Sequence, residues 1–236
     1  MIEVDAVVIT AMREEMAPFE ERSDALGRPS TLGRATIRLA SFGQSHVLLV
    51  TSGIGLVNAA VATALAVHRS RPAKVISAGS AGGLHPEVQV GDVVAGTSYV
   101  YGGADARVFG YSLGQVPGMP PSYAPGPDLL ACAQAPAGAR LLRGPVISGD
   151  AFIDASTVDR VRARFPEALA TDMESAAIAH TCHLFTVPFL AVRAISDLCG
   201  PAAGAEFHLE VDDAASRSAD VALGLIRSTA WSPQPA

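Results

Sequence analysis

Short apolar runs rich in β-branched residues recur along the chain, separated by turn residues or by stretches of helical period. Val4 to Ile9 is the first such run, and it gives way to a helical stretch starting near Met12. Ala35 to Ala40 and Ser45 to Thr51 read as strands joined by the turn Phe42-Gly43-Gln44. Gly53-Ile54-Gly55 opens an apolar helix to about Arg69, and Lys74 to Ser77 is a buried strand broken by a loop over Gly79–Gly83. Val88 to Ser98 is strand-like, with Gly91-Asp92 as its turn signal. Pro145 to Ser148 returns to strand, and Ser156 to Phe165 is helical with Ser156 or Thr157 able to cap it. An alanine-rich helix covers about Glu174 to His183, Phe189 to Ile195 is a buried strand, and Asp213 to Arg227 is a closing helix.

Strands that alternate with helices predict an α/β chain with a central mixed β-sheet flanked by helices. No repeat or linker divides it, so residues 1–228 are expected to form a single domain, with 229–236, which contain Pro233 and Pro235, as a frayed tail. Tyr101 to Pro127 stands apart, rich in Gly, Pro and Tyr and without a clear period, and a loop of that length is usually functional or disordered.

The 49% hydrophobic content is ample for a core, and a formal charge of −6 leaves no basic stripe for a phosphate backbone, so nucleic acid is not an expected partner. The N-terminus carries Glu3 and Asp5 instead of a basic region, unlike a signal peptide. Ile54 to Val67 is shorter than the roughly 18 residues of a membrane span. Cys132, Cys182 and Cys199 form no CxxC pattern, and reduced thiols in a cytoplasmic protein are the simplest reading. No metal is expected: His180 and His183 lie three apart on a helix, but no third ligand is evident. Gly79-Ser80-Ala81-Gly82-Gly83 lacks the Lys-Ser/Thr of a phosphate-binding loop.

Three acids fall at element ends, where functional groups usually sit. Asp197 follows the apolar strand Phe189–Ile195, and desolvation in such a cleft disfavours the charged carboxyl and suits it to giving up a proton. Its bland alternative is a turn cap. Glu174 opens a helix, where the dipole alone would stabilise it, and the same holds for the pair Glu14 and Glu15.

Taken in order, Ala11-Met12-Arg13-Glu14-Glu15-Met16, Gly79–Gly83, Ser148-Gly149-Asp150-Ala151-Phe152-Ile153, Asp172-Met173-Glu174-Ser175-Ala176-Ala177 and Arg193-Ala194-Ile195-Ser196-Asp197 resemble the 5′-methylthioadenosine/S-adenosylhomocysteine nucleosidases, within the purine nucleoside phosphorylase superfamily. The resemblance runs from about Val4 to near Ile226 and implies a nucleoside phosphorylase-like fold. It implies hydrolysis of an N-ribosidic bond, with Glu15 as the base that activates water, Asp197 as the acid that protonates the purine, and Glu174 on the ribose hydroxyls. Ser80, Arg193 and Glu174 would help hold the water, Ser196 would support Asp197, and Met173 would lie against the sugar. Phe152 and Ile153 would bind the base, Ile54 and Phe207 would contribute to the substrate pocket, and no cofactor is implied. Phe109 and Pro117 would reach the 5′ pocket of a partner subunit, which implies a homodimer.

The superfamily divides on whether phosphate or water attacks. Thr10-Ala11-Met12-Arg13-Glu14-Glu15 holds two acids and one arginine and lacks the Gly-Asp-Pro of the phosphorylases, so water is expected. The sequence also departs from the nucleosidase pattern. Gly102-Gly103 stand where a His-Asp pair is common, and Leu198–Gly204 is unusual, so aminodeoxyfutalosine is a second candidate substrate. A phosphorylase, or a nucleoside-binding protein without turnover, are the other readings that retain this pocket.

Overall fold

A computed structural model describes residues 2–201 and 203–228, with the side chains of 204–210 outside the description. The strands are β1 (Ala6–Thr10), β2 (Ala25–Leu26), β3 (Ser30–Leu32), β4 (Ala35–Phe42), β5 (Ser45–Thr51), β6 (Val75–Gly83), β7 (Val93–Tyr101), β8 (Leu141–Ser148), β9 (Ala170–Asp172) and β10 (Phe189–Asp197). The helices are α1 (Arg13–Glu21), α2 (Leu56–Ser70), α3 (Pro127–Cys132), α4 (Val158–Arg164), α5 (Ser175–Phe185) and α6 (Ala203–Arg227).

All of these strands join one mixed sheet. β1 lies parallel between β5 and β6, and β4 runs antiparallel to β5. β6, β10, β7, β8 and β9 close into a ring, because β10 pairs with both β6 and β7 while β9 joins β8 back to β6. β1 and β10 are buried on both faces, β10 with Arg193, Ser196 and Asp197 among its buried positions, whereas outer β4 alternates.

Two apolar layers cover the sheet. Ala59, Ala62 and Ala66 of α2 and Ala176 to Ala179 of α5 pack on one face. Met16 and Phe19 of α1 and Ala219, Ala222 and Leu223 of α6 pack on the other. Each fully buried Val, Leu or Ile contributes about 1.5–3 kcal/mol relative to exposure, so these layers dominate the stability.

Several expectations need correction. Gly79–Gly83 is the end of strand β6 and not a loop. Its glycines admit close neighbours: a Cβ at Gly82 would fall 2.5 Å from Cys199 Sγ, and one at Gly83 would fall 2.8 Å from Leu198 Cδ2. The strand expected from Val88 begins only at Val93, after the Gly91-Asp92 turn, and the closing helix begins at Ala203 instead of Asp213. Thr157 occupies the cap position of α4 without a side-chain capping bond. Between Tyr101 and Pro127 the chain is irregular apart from a 3-10 turn at Arg107–Phe109. Among the described residues no helix is long and apolar enough to cross a membrane.

Candidate active site

The parallel pairing of β6 with β10 sets Arg193 opposite Gly79 and Ala194 opposite Ser80. A register shift follows between Ile195 and Asp197, so that Asp197 pairs with Gly82 and Ser196 falls at the irregularity. Irregularities of this kind re-aim side chains at the ends of strands. On the opposite side of the ring, β8 and β9 place Ser148 opposite Asp172. These strand ends, with the amino ends of α1, α2 and α5, enclose a cavity of about 160 Å³.

Glu15, Ile54, Ser80, Phe152, Ile153, Met173, Glu174, Ser196 and Asp197 all line this cavity, as the sequence reading expected of a common site. Arg193 stands behind them and does not line it. Phe109 and Pro117 lie away from it, and Phe109 is 79% exposed. Phe207 falls within α6, and its side chain lies outside the described residues.

Glu15 is buried in the first turn of α1, while Glu14 beside it faces solvent. The Glu15 Oε2 atom accepts the amides of Ala11 at 3.0 Å and Met12 at 3.1 Å. Its Oε1 accepts the Ser80 amide at 2.8 Å and the Ser80 hydroxyl at 2.9 Å. Four donors therefore fix this carboxylate in one rotamer.

Glu174 sits at the N-cap position of α5, and its Oε1 accepts the Gly55 amide at 2.9 Å. Burial pushes its carboxyl up to about 7, with Asp172 and Glu15 adding to the rise and Arg193 opposing it. The next amide of the α2 start, that of Leu56, donates to Asp150 at 3.0 Å, which ties the loop before Phe152 to the same helix end.

Asp197 accepts the Ser196 hydroxyl at 3.0 Å and the Cys199 amide at 2.9 Å. Cys199 also lines the cavity, and burial followed by the charge of Asp197 pushes its thiol up to about 12, so it is a neutral thiol at physiological pH.

Arg193 reaches two acids, and its principal partner is Asp172. Arg193 Nε lies 2.8 Å from Asp172 Oδ2, whereas Nη2 is 3.9 Å from Glu174 Oε2. Asp172, a cavity-lining acid to which the sequence reading gave no role, could have been found only through the pairing of three-residue β9.

No group of three or more metal-ligating side chains occurs among the described residues. The cavity is lined by Glu15, Asp172, Glu174 and Asp197 and by no lysine or arginine among the described residues. Such a wall suits ligand groups such as hydroxyls and ring nitrogens and repels a phosphate dianion.

Comparison with known proteins agrees with this picture. Residues 5–229 match the family described as the Phosphorylase superfamily. A 5′-methylthioadenosine/S-adenosylhomocysteine nucleosidase of Anoxybacillus flavithermus is 38% identical over 92% of this chain and 96% of its own length. The nucleosidase of that name from Neisseria meningitidis, solved with methylthio-immucillin-A, superposes with a TM-score of 0.89 at 36% identity, covering 94% of this chain and 98% of that one. Another from Colwellia psychrerythraea, solved with adenine, gives a TM-score of 0.91 at 33% identity over 95% of each chain.

Proposed function

Because the chain belongs to the 5′-methylthioadenosine/S-adenosylhomocysteine nucleosidase family of the phosphorylase superfamily, we propose that it hydrolyses the N-glycosidic bond of those two nucleosides, releasing adenine and the 5′-substituted ribose. The observation that carries the proposal is the meeting of Glu15, Glu174 and Asp197, which are 2%, 5% and 2% exposed, around one cavity.

In this reading adenine packs against Phe152 beside Ile153, and its N7 faces Asp197. Asp197 gives its proton to N7 as the C1′–N9 bond breaks, with Ser196 holding the carboxyl in place. Glu174 accepts hydrogen bonds from the ribose hydroxyls and stabilises the cationic sugar as charge develops. Met173 and Ile54 pack against the sugar side. Water adds to C1′ from the opposite face and passes a proton to Glu15, beside Ser80. Solvent exchange then reloads Asp197 and discharges Glu15. Attack by water, and not by phosphate, is supported by the acidic lining of the cavity.

The reading extends to assembly. Val108 is 85% exposed beside Phe109, and Val57 and Val61 on α2 are 72% and 51% exposed. A second copy of the chain is proposed to cover these side chains, with Phe109 and Pro117 of each copy completing the 5′ pocket of the other. Residues 1–228 are proposed to act as one catalytic domain in the cytoplasm, a compartment that would keep Cys132, Cys182 and Cys199 reduced.

The test is adenine release from 5′-methylthioadenosine, followed chromatographically with and without phosphate. Release independent of phosphate, with free methylthioribose as co-product, is expected. A phosphate requirement would make the protein a phosphorylase. Release only from aminodeoxyfutalosine would move the proposal to that substrate, and binding without release would make it a nucleoside-binding protein.

A further inference from the structure

Asp172 takes no part in the reaction as proposed, yet it anchors the buried polar network behind it. Its Oδ2 holds Arg193 Nε at 2.8 Å, with both side chains 1% exposed, and it also accepts the Ser175 hydroxyl. Its Oδ1 accepts the Ser148 hydroxyl and the amides of Glu174 at 3.3 Å and Ser175 at 3.2 Å. Asp172 is thus fixed by β8, β9 and the first turn of α5 at once.

The consequence falls on Arg193. Its Nε is also 3.2 Å from the Ser175 hydroxyl, and Nη2 donates to the Ser77 hydroxyl at 2.7 Å. The remaining nitrogen, Nη1, is buried with no hydrogen-bond partner. A buried guanidinium donor left unpaired is costly, so its place has to be held by the bonds that the other nitrogens make. Nη1 and Glu15 Oε1 approach the same point, since a Cβ on Gly79 would meet them at 2.7 Å and 2.5 Å. The donor that lacks a partner therefore stands next to the carboxylate that is to activate water.

We propose that Asp172 is a positioning residue of the reaction: by holding the Nε side of Arg193 it sets Nη1 beside Glu15 Oε1, so that the guanidinium charge bears on Glu15 from behind the cavity wall, and it keeps the guanidinium from closing onto Glu174. This rests on the hydrolytic reading of the site. Without the Asp172 charge, the nearest acid left to Arg193 is Glu174, and a direct pair between them would occupy the carboxylate oxygens that the ribose hydroxyls require. The charged groups facing Glu174 are Arg193 from β10, Asp172 from β9 and Glu15 from α1, and the Gly55 amide meets it from α2. Removing Asp172 deletes one acid and frees Arg193, and both changes favour ionised Glu174 at lower pH.

Asp172→Asn and Asp172→Glu test this against the wild-type protein, with kcat, KM and the pH profile measured for 5′-methylthioadenosine and thermal unfolding measured alongside. Asp172→Asn is expected to lower kcat by about 10- to 100-fold, the scale of a misplaced catalytic group. Its acidic limb should move to lower pH by on the order of one unit. Asp172→Glu keeps the charge, so its limb should stay near that of the wild type with an intermediate kcat. Wild-type kcat and an unmoved limb in Asp172→Asn would overturn the inference, as would a lowered Tm with an unchanged pH profile. If Asp172→Asn does not fold, a wild-type kcat in Asp172→Glu overturns it and a lowered kcat with a retained limb supports it. No adenine release by the wild-type protein would instead defeat the hydrolytic reading, and with it this inference.

Discussion

Ser80 meets Glu15 twice on the same oxygen, through its amide at 2.8 Å and its hydroxyl at 2.9 Å. With the Ala11 and Met12 amides on the other oxygen, the roughly four lone-pair positions of the carboxylate are all engaged. Three of the donors are backbone and cannot turn away. The Ser80 hydroxyl can, so in the proposed reaction it is the group that yields when Glu15 takes a proton from water. Ser80→Ala should therefore fold normally and lose about tenfold or less in kcat, whereas Glu15→Gln should lose at least ~100-fold. Adenine release by both variants, with circular dichroism as the folding control, checks this. Equal losses would mean that the hydroxyl is as necessary as the base.

Glu174 links activity to stability with opposite signs. Burial holds its carboxyl at about 7 in the folded protein, against an ordinary value of 4.5. The folded state thus binds the proton more tightly than the unfolded chain, and this group costs stability increasingly as pH rises from about 4.5 to 7. Glu174→Gln keeps an acceptor for the Gly55 amide and abolishes the buried charge. Its Tm relative to wild type should rise across that interval, while its turnover collapses. A Tm difference independent of pH would refute the assignment.

Gly79→Ala would place a methyl group 2.5 Å from Glu15 Oε1 and 2.7 Å from Arg193 Nη1. Neither group can withdraw without breaking its buried bonds. The variant should lose about 1–3 kcal/mol of stability and at least ~10-fold in kcat. Gly103→Ala is the control, since nothing lies within 4 Å of its added carbon. Urea unfolding and adenine release on the pair distinguish a local clash from a general intolerance of alanine.

Val57, 72% exposed on α2, tests the proposed assembly. A carboxylate there costs little on an exposed helix but opposes burial against a second copy. Val57→Glu should elute as a monomer from gel filtration and show a raised KM for 5′-methylthioadenosine. If it elutes like wild type, α2 does not form the interface.

The sequence made some parts of the molecule legible and hid others, for identifiable reasons. β5 is readable to its ends because the apolar run Val47–Val50 follows a glycine turn and is flanked by Ser45-His46 and Thr51. The end of β6 is not, because Gly79, Gly82 and Gly83 resemble a loop until the side chains pressed against them are known. β9 escaped notice because its three residues carry no period, and with it went the placement of Asp172. The acids Glu15, Glu174 and Asp197 were found through short motifs, and their common cavity follows from strand register, which no local pattern encodes. The preference of Arg193 for Asp172 over Glu174 is a matter of about an ångström, 2.8 against 3.9 Å, and belongs to tertiary geometry alone.

The closed ring of β6, β10, β7, β8 and β9 also fixes when chemistry can first appear. β10 is the last strand made, yet it seats between β6 and β7, which were made long before it. Arg193 and Asp197 arrive only with that strand, while Glu15 has waited since the first helix. A chain still emerging from the ribosome thus holds the proposed base with no proposed acid opposite it, and pairings this distant in sequence form slowly. Catalytic competence comes in a single late step, and a nucleosidase truncated before β10 would be chemically silent however much of its sheet had formed.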